Sequence, residues 1–209
     1  MENELELGMR ERKKLRTRKA LIAGALRLFH DKGFDETTVA EIAATADISA
    51  RTFFSYFESK DDIVFYDAHA RLQRSLDLLG RRAPGESAGE LLRRVLEQSV
   101  FSVADDTDFD RARLIESVPA LQARELHLLF DTQRRLAHAL HRACPAEVDL
   151  VEAAAMVGAL VGAIKMAIAA SRGRGDDPGA TEEAVRRAAD LALAGLNSRD
   201  GNRAAARNP

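Results

Sequence analysis

Ser49-Ala50-Arg51-Thr52 is a run whose side chains suit contact with base edges and phosphates. An arginine there pairs bidentately with the two acceptors of guanine, and a small alanine packs on a thymine methyl. Ser49 reads as a helix cap, so the free N–H groups of the turn it opens point toward phosphate. Further along, Tyr56 sets a phenol beside Lys60, a combination better suited to phosphate than to a core. This is the chemistry of recognition rather than catalysis. The chain has no Gly-x-Ser-x-Gly, no phosphate loop of the Walker type and no Gly-x-Gly-x-x-Gly ahead of a helix. Neither an enzyme nor a cofactor is therefore expected.

Such residues act only when short helices hold them at a fixed angle. Thr38-Val39-Ala40-Glu41 fits a capping box, in which the hydroxyl takes one free backbone N–H and the glutamate reaches back. The short helix that follows turns Val39, Ile42 and Ala43 inward. Thr45-Ala46-Asp47 then forms a turn that needs a residue tolerant of positive φ, and Asp47 supplies it. A second short helix, over about 49–56, completes a helix-turn-helix. Its N-terminal residues would meet base edges in the major groove of DNA. Phe53 and Phe57 fall at i, i+4 and face inward with Phe34, Ile42 and Ile48. Helices this short need aromatic bulk to bury enough surface. Ser59-Lys60-Asp61-Asp62 repeats the cap pattern ahead of the next helix.

Helical spacing continues along the whole chain, and no strand signal interrupts it. In 9–32, Leu15, Ile22, Leu26 and Phe29 share one face, and Gly33 reads as the stop. The helix from Ser59 runs to about 80, and others are expected over 88–104, 111–117, 121–142, 147–171 and 182–197. The fold class is all-α: an N-terminal three-helix domain with a helix-turn-helix, then a larger helical bundle, about nine helices in total. The expected divisions are a flexible N-terminus over 1–9, a first domain over 10–60, a second over 61–197, and a disordered tail over 198–209.

The formal net charge of −2 hides an asymmetry. Residues 9–60 carry 11 Lys and Arg against 7 Asp and Glu, while residues 61–209 carry 20 against 23. A basic segment joined to an acidic body is the footprint of polyanion binding at one end. Arg10, Arg12, Lys13, Lys14, Arg16 and Arg18 precede or open the first helix, placed to add phosphate or minor-groove contacts. The single cysteine, Cys144, rules out an internal disulfide and points to a reducing compartment, so a cytoplasmic location is expected. His138-x-x-His141-x-x-Cys144 spaces three metal-ligand types along one helix face, but a fourth ligand is missing and no metal is expected. Ala153 to Ala170 is nearly all small or apolar. With Lys165 inside it and Ala and Gly prevailing, it reads as a buried helix rather than a membrane span. Ala154, Gly158, Gly162 and Ala169 let another helix approach it closely.

The run Thr37-Thr38-Val39-x-Glu41-Ile42-Ala43, then Ile48-Ser49-x-x-Thr52-Phe53-Phe54-x-Tyr56-Phe57-x-Ser59-Lys60-x-Asp62-Ile63, resembles the DNA-binding domain of TetR-family transcriptional regulators. Ala25-Leu26-x-Leu28-Phe29-x-x-x-Gly33-Phe34 matches the end of that family's first helix. The resemblance is specific over 15–63; beyond it, only helix count and chain length agree. It implies a homodimer on a palindromic operator, most often a repressor, released when a small ligand enters the C-terminal domain. By the same resemblance Thr38 and Lys60 contact phosphates, Thr52 and Tyr56 contact the DNA backbone, and Ala50 and Arg51 face bases. Phe54 stands where the family often has Tyr, which removes one phosphate-contacting hydroxyl. Asp47 stands where Gly is commoner. Arg51-Thr52-Phe53-Phe54-x-Tyr56-Phe57 is similar to a sub-branch with members that respond to fatty acyl-CoA, so the implied ligand is apolar or acyl-CoA-like.

The resemblance makes 10–60 the DNA-binding domain and 61–197 the ligand-sensing and dimerisation domain. The helices over 147–171 and 182–197 would pair with their symmetry mates in a four-helix bundle. Phe101, Phe109, Phe130, Met156, Lys165 and Met166 are the candidate pocket lining, and Lys165 in a pocket would select an acidic ligand group. The alternative is a ligand-independent DNA-binding protein whose C-terminal domain only dimerises.

Overall fold

The computed structural model describes residues 8–101 and 107–206, with the side chains of 100–110 and of 195 onward outside the described residues. All secondary structure among the described residues is helical. In chain order the helices are α1 (Met9–Lys32), α2 (Val39–Thr45), α3 (Ala50–Phe53), α4 (Lys60–Val64) and α5 (Ala68–Leu79). They continue with α6 (Ala88–Leu96), α7 (Thr107–Ser117), α8 (Pro119–Ala143), α9 (Leu150–Arg174) and α10 (Pro178–Ala206). A single π turn, Glu97–Phe101, extends α6.

The helix expected over 59–80 is two helices, so there are ten among the described residues rather than nine. It breaks at Phe65-Tyr66-Asp67, where Phe65 leaves helical geometry at φ −108° and ψ 22°. Distant arginines hold the break. The Arg124 guanidinium lies 5.5 Å over the Phe65 ring, and that of Arg111 lies 5.0 Å over Tyr66. Arg111 Nη1 also donates to Asp67 Oδ1 at 3.1 Å. None of these partners is close in sequence, so no local period reveals the break.

The chain divides into two compact units, Met1–Ala68 with Thr107–Glu125, and His69–Asp106 with Leu126–Pro209. A single cut near residue 60 is thus not how the contacts fall: α7 and the first turns of α8 join the N-terminal helices. The core of the first unit is Leu21, Ala25 and Phe29 of α1 with Ile42, Phe53, Phe57 and Ile63, closed by Ile115 and Leu121. Phe29 and Phe34 pack with ring centroids 4.9 Å apart, and Phe53 and Phe57 at 5.8 Å.

Gly24 lets α1 and α2 approach this closely. A Cβ built on it would stand 1.9 Å from Thr45 Oγ1 and 2.5 Å from Thr45 Cβ. Trimming residue 45 to alanine removes only the first clash. Gly24→Ala should therefore destabilise the protein by about 1–2 kcal/mol net, despite alanine's better helix propensity. Thermal unfolding of the two proteins checks this; an unchanged or raised midpoint would contradict it.

In the second unit, Leu91, Leu92, Val95 and Leu96 of α6 pack with Leu140 of α8, Met156, Val157 and Leu160 of α9, and Ala189 and Leu193 of α10. An Asp149–Glu152 capping box opens α9, and Gly175 closes it in the left-handed conformation at φ 75°. Arg94 pairs with Glu86 at 2.7 Å, and this hydrogen bond pulls the Glu86 carboxyl down to about 2. The outer side of α9 stays open: Val151 is 77% exposed and Met166 69%, with Leu191 of α10 at 76%. By length and composition α9 meets the requirement for a membrane span, and only 22% of its most apolar window is buried. α10 runs on to Ala206, past the expected end at 197, and residues 207–209 lie outside the described residues.

Candidate nucleic-acid interface

Each short helix of the first unit is started by a side-chain cap. Thr38 Oγ1 accepts from Glu41 N at 3.3 Å, and Glu41 Oε2 accepts from Thr38 N at 2.9 Å. Lys32 Nζ donates to Glu41 Oε1 at 2.6 Å, tying the end of α1 to α2. That hydrogen bond, with those from Thr38, holds the Glu41 carboxyl down at about 2. The turn after α2 has the left-handed residue that the sequence requires, Asp47 at φ 54°. Ser49 then caps α3, its Oγ accepting from Thr52 N at 3.1 Å. The Ser49 and Thr52 hydroxyls lie 2.9 Å apart, hydrogen bonded to one another.

α3 is one turn long and gives way to a turn at Phe54-Ser55-Tyr56. Phe53 is fully buried and Phe57 nearly so, which anchors the element from beneath. Ser49, Arg51 and Thr52 are exposed, and Ala50 is half-buried. Arg51 has no hydrogen bond or ion pair to the described residues. Tyr56 is half-buried and packs on the aromatic core, and Phe54 is 57% exposed.

Lys60 is placed differently from the rest. Its Nζ donates to the backbone carbonyls of Phe34, Asp35 and Thr37 at 2.6, 3.3 and 3.2 Å. It also lies 4.4 Å over the Phe34 ring. All three ammonium donors are engaged by the loop between α1 and α2, so this lysine ties α4 to that loop. Arg18, though exposed, is also engaged, donating to the Tyr66 carbonyl at 3.2 Å and lying 5.1 Å over Phe57. Arg10, Lys13, Lys14 and Arg16 remain exposed along the first turns of α1.

Sequence reasoning missed Arg111 and Arg124. Arg124 pairs with Asp62, reaches Ser59 Oγ at 3.4 Å and lies 3.8 Å from Asp61. Together with the Arg111–Asp67 pair it grips both ends of α4 and the turn after it. Of this set only Asp61 and Asp62 carry a local signal, as first-turn residues of a capped helix.

The pocket candidates are scattered. Met156 is buried in the core of the second unit, Lys165 is half-buried, and Phe130 and Met166 are 65% and 69% exposed. The side chains of Phe101 and Phe109 lie outside the described residues. The His138, His141 and Cys144 face is also dispersed. His141 Nδ1 sits 3.0 Å from the Val148 carbonyl, Cys144 is buried with its thiol pushed up by burial, and His138 is exposed. No group of three potential metal ligands occurs among the described residues.

Comparison with known proteins agrees with this architecture. A family model described as bacterial regulatory proteins of the tetR family matches residues 21–66. The HTH-type transcriptional regulator TcmR of Streptomyces glaucescens is 33% identical over 138 residues, 62% of this chain and 61% of its own. HbdR of Aromatoleum sp. (strain CIB), also an HTH-type transcriptional regulator, is 33% identical over 72 residues, 34% of this chain and 30% of its own. These matches thus span less than two thirds of the relatives' lengths. A TetR-like regulator from Rhodococcus sp. RHA1 superposes with a TM-score of 0.52 at 25% identity, over 87% of this chain and 96% of its own. SmeT, the repressor of the Stenotrophomonas maltophilia efflux pump SmeDEF, shares the fold at a TM-score of 0.56 and 18% identity, over 87% and 89%. Residues 21–66, with their capped helix-turn-helix and left-handed Asp47, belong to the tetR family of bacterial regulatory proteins.

Proposed function

We propose that the chain is a transcriptional regulator, most often repressing, that reads a palindromic operator as a homodimer and leaves it when a small molecule occupies the second unit. The observation that carries this reading is Arg51, exposed and unpaired among the described residues, on the single turn of a helix seated on Phe53 and Phe57. A guanidinium held this way keeps its donors for a base edge, while Ser49, Thr52 and Tyr56 offer hydroxyls to flanking phosphates. Thr38 joins them from the start of α2. Lys60 acts in this reading by fixing the loop before α2.

Dimerisation uses α9 and α10. A Cβ added to Gly158 or Gly162 meets nothing within 4 Å, so the outer side of α9 has room for a second helix. α5 and α8 both begin in the first unit and continue into the second, so they are the segments along which effector occupancy is relayed. An effector acts only by preferring one of the two states of the dimer.

The test is selection of duplexes from a random pool by the purified chain at two salt concentrations. A palindrome with half-sites about one helical turn or a little more apart is expected. Salt-sensitive binding without sequence preference would sink the operator reading and favour a ligand-independent DNA-binding protein. Arg51→Ala should weaken the selected duplex roughly tenfold or more while leaving unrelated duplexes unaffected. An equal loss on both would assign Arg51 to phosphate instead.

A further inference from the structure

We propose that the second unit holds an anion-binding position at Arg74, where the effector places a carboxylate. The proposal rests on reading the second unit as the effector-binding part. Arg74 lies on α5, and its Nε and Nη2 are both sealed from solvent with no hydrogen-bond partner. These two atoms form one edge of the guanidinium, the edge that receives both oxygens of a carboxylate in parallel. An arginine does not lose its proton in a folded protein, so it cannot escape the cost of desolvation by becoming neutral. A buried guanidinium edge therefore calls for a counter-charge.

The chain does not supply one among the described residues. Asp77, three positions along α5, is the acid at helical reach, and it accepts from Gln73 Nε2 at 2.9 Å on the exposed face. Arg12 leaves a buried Nε without a partner among the described residues, but only that atom, so it offers no two-donor edge. Ser99 is a second orphan in the same unit: it is 1% exposed and its Oγ has no partner. It lies in the π turn, an interruption of helical hydrogen bonding that recurs at functional sites. Leu78, one turn along α5 from Arg74, packs partly buried on the apolar core. A small acid with an apolar body fits this neighbour. Lys165, whose charge would also suit an acidic ligand group, is already engaged.

The experiment is thermal unfolding of the full chain and of Arg74→Met, alone and with matched probes. The probes are octanoate against octanamide and benzoate against benzamide, with sodium sulfate as the ionic control. Without additives Arg74→Met should melt higher than the parent, by roughly 2–4 °C or more, because it removes an uncompensated charge. The carboxylates should protect the parent more than their amides do, and this preference should fall by about tenfold or more in Arg74→Met. Arg74→Gln, which keeps a polar group but no charge, should lose the preference as well. A parent that responds equally to acid and amide overturns the proposal. So does sulfate protection that matches the carboxylates, or a lower melting point in both variants. The outcome is separable from the regulator reading. Operator selection with a failed carboxylate test removes only the anion position. Carboxylate protection without any DNA binding leaves that position standing and removes the regulator.

Discussion

Replacing Arg111 with alanine should destabilise the first unit by about 3–5 kcal/mol. The Arg111 side chain is 6% exposed and that of Asp67 12%, so the pair is held where water cannot take over either charge. Removing one partner of such a pair leaves the other buried without its counter-charge, which costs far more than the net worth of the pair. The ring of Tyr66 loses its overlying cation in the same step. The double replacement Arg111→Met with Asp67→Leu removes both charges and should recover most of the loss. Urea unfolding of the three proteins checks this. A single variant within about 1 kcal/mol of the parent would place the pair among weak surface contacts. Because this pair pins the turn between α4 and α5, the single variant should also bind the selected duplex more weakly at a temperature where it remains folded.

Local signals carried the helix-turn-helix. The three caps at Thr38, Ser49 and Ser59, the inward Phe53 and Phe57, and the left-handed Asp47 all follow from residues within a few positions of one another. What local pattern cannot hold is the partner contributed from far along the chain. Lys60 sits where the family resemblance implies a phosphate contact, yet the carbonyls of Phe34, Asp35 and Thr37 converge on it from across the fold. The break at 65–67 likewise depends on Arg111 and Arg124, and Gly24 on its distance to Thr45. Size and polarity single out the pocket candidates, and they do not tell a buried Met156 from an exposed Met166 on the same helix. Arg74 gave no signal at all, because an arginine on an amphipathic helix reads as solvated until its atoms are found sealed.

Gly162→Arg should convert the proposed dimer to a monomer and reduce affinity for a palindromic duplex roughly 100-fold or more. The expectation begins with sequence. An apolar helix with small residues at Ala154, Gly158, Gly162 and Ala169 must be covered on more than one side. α10 covers one side, and the opposite side presents Val151 and Met166 to solvent beside open space at both glycines. An exposed apolar patch of this kind marks an interaction surface. An arginine at 162 meets no atom of its own chain, and it replaces glycine inside a helix with a better helix former, so each monomer should remain folded. In a symmetric pairing through this face, both protomers would bring the same added bulk and like charge into the interface. Each monomer would keep one recognition helix and bind a half-site alone, losing the gain from linking two contacts on one duplex. Sedimentation at several concentrations gives the oligomeric state, and titration of full and half-site duplexes gives the affinity ratio. A variant that stays dimeric with unchanged operator binding would move the interface away from α9.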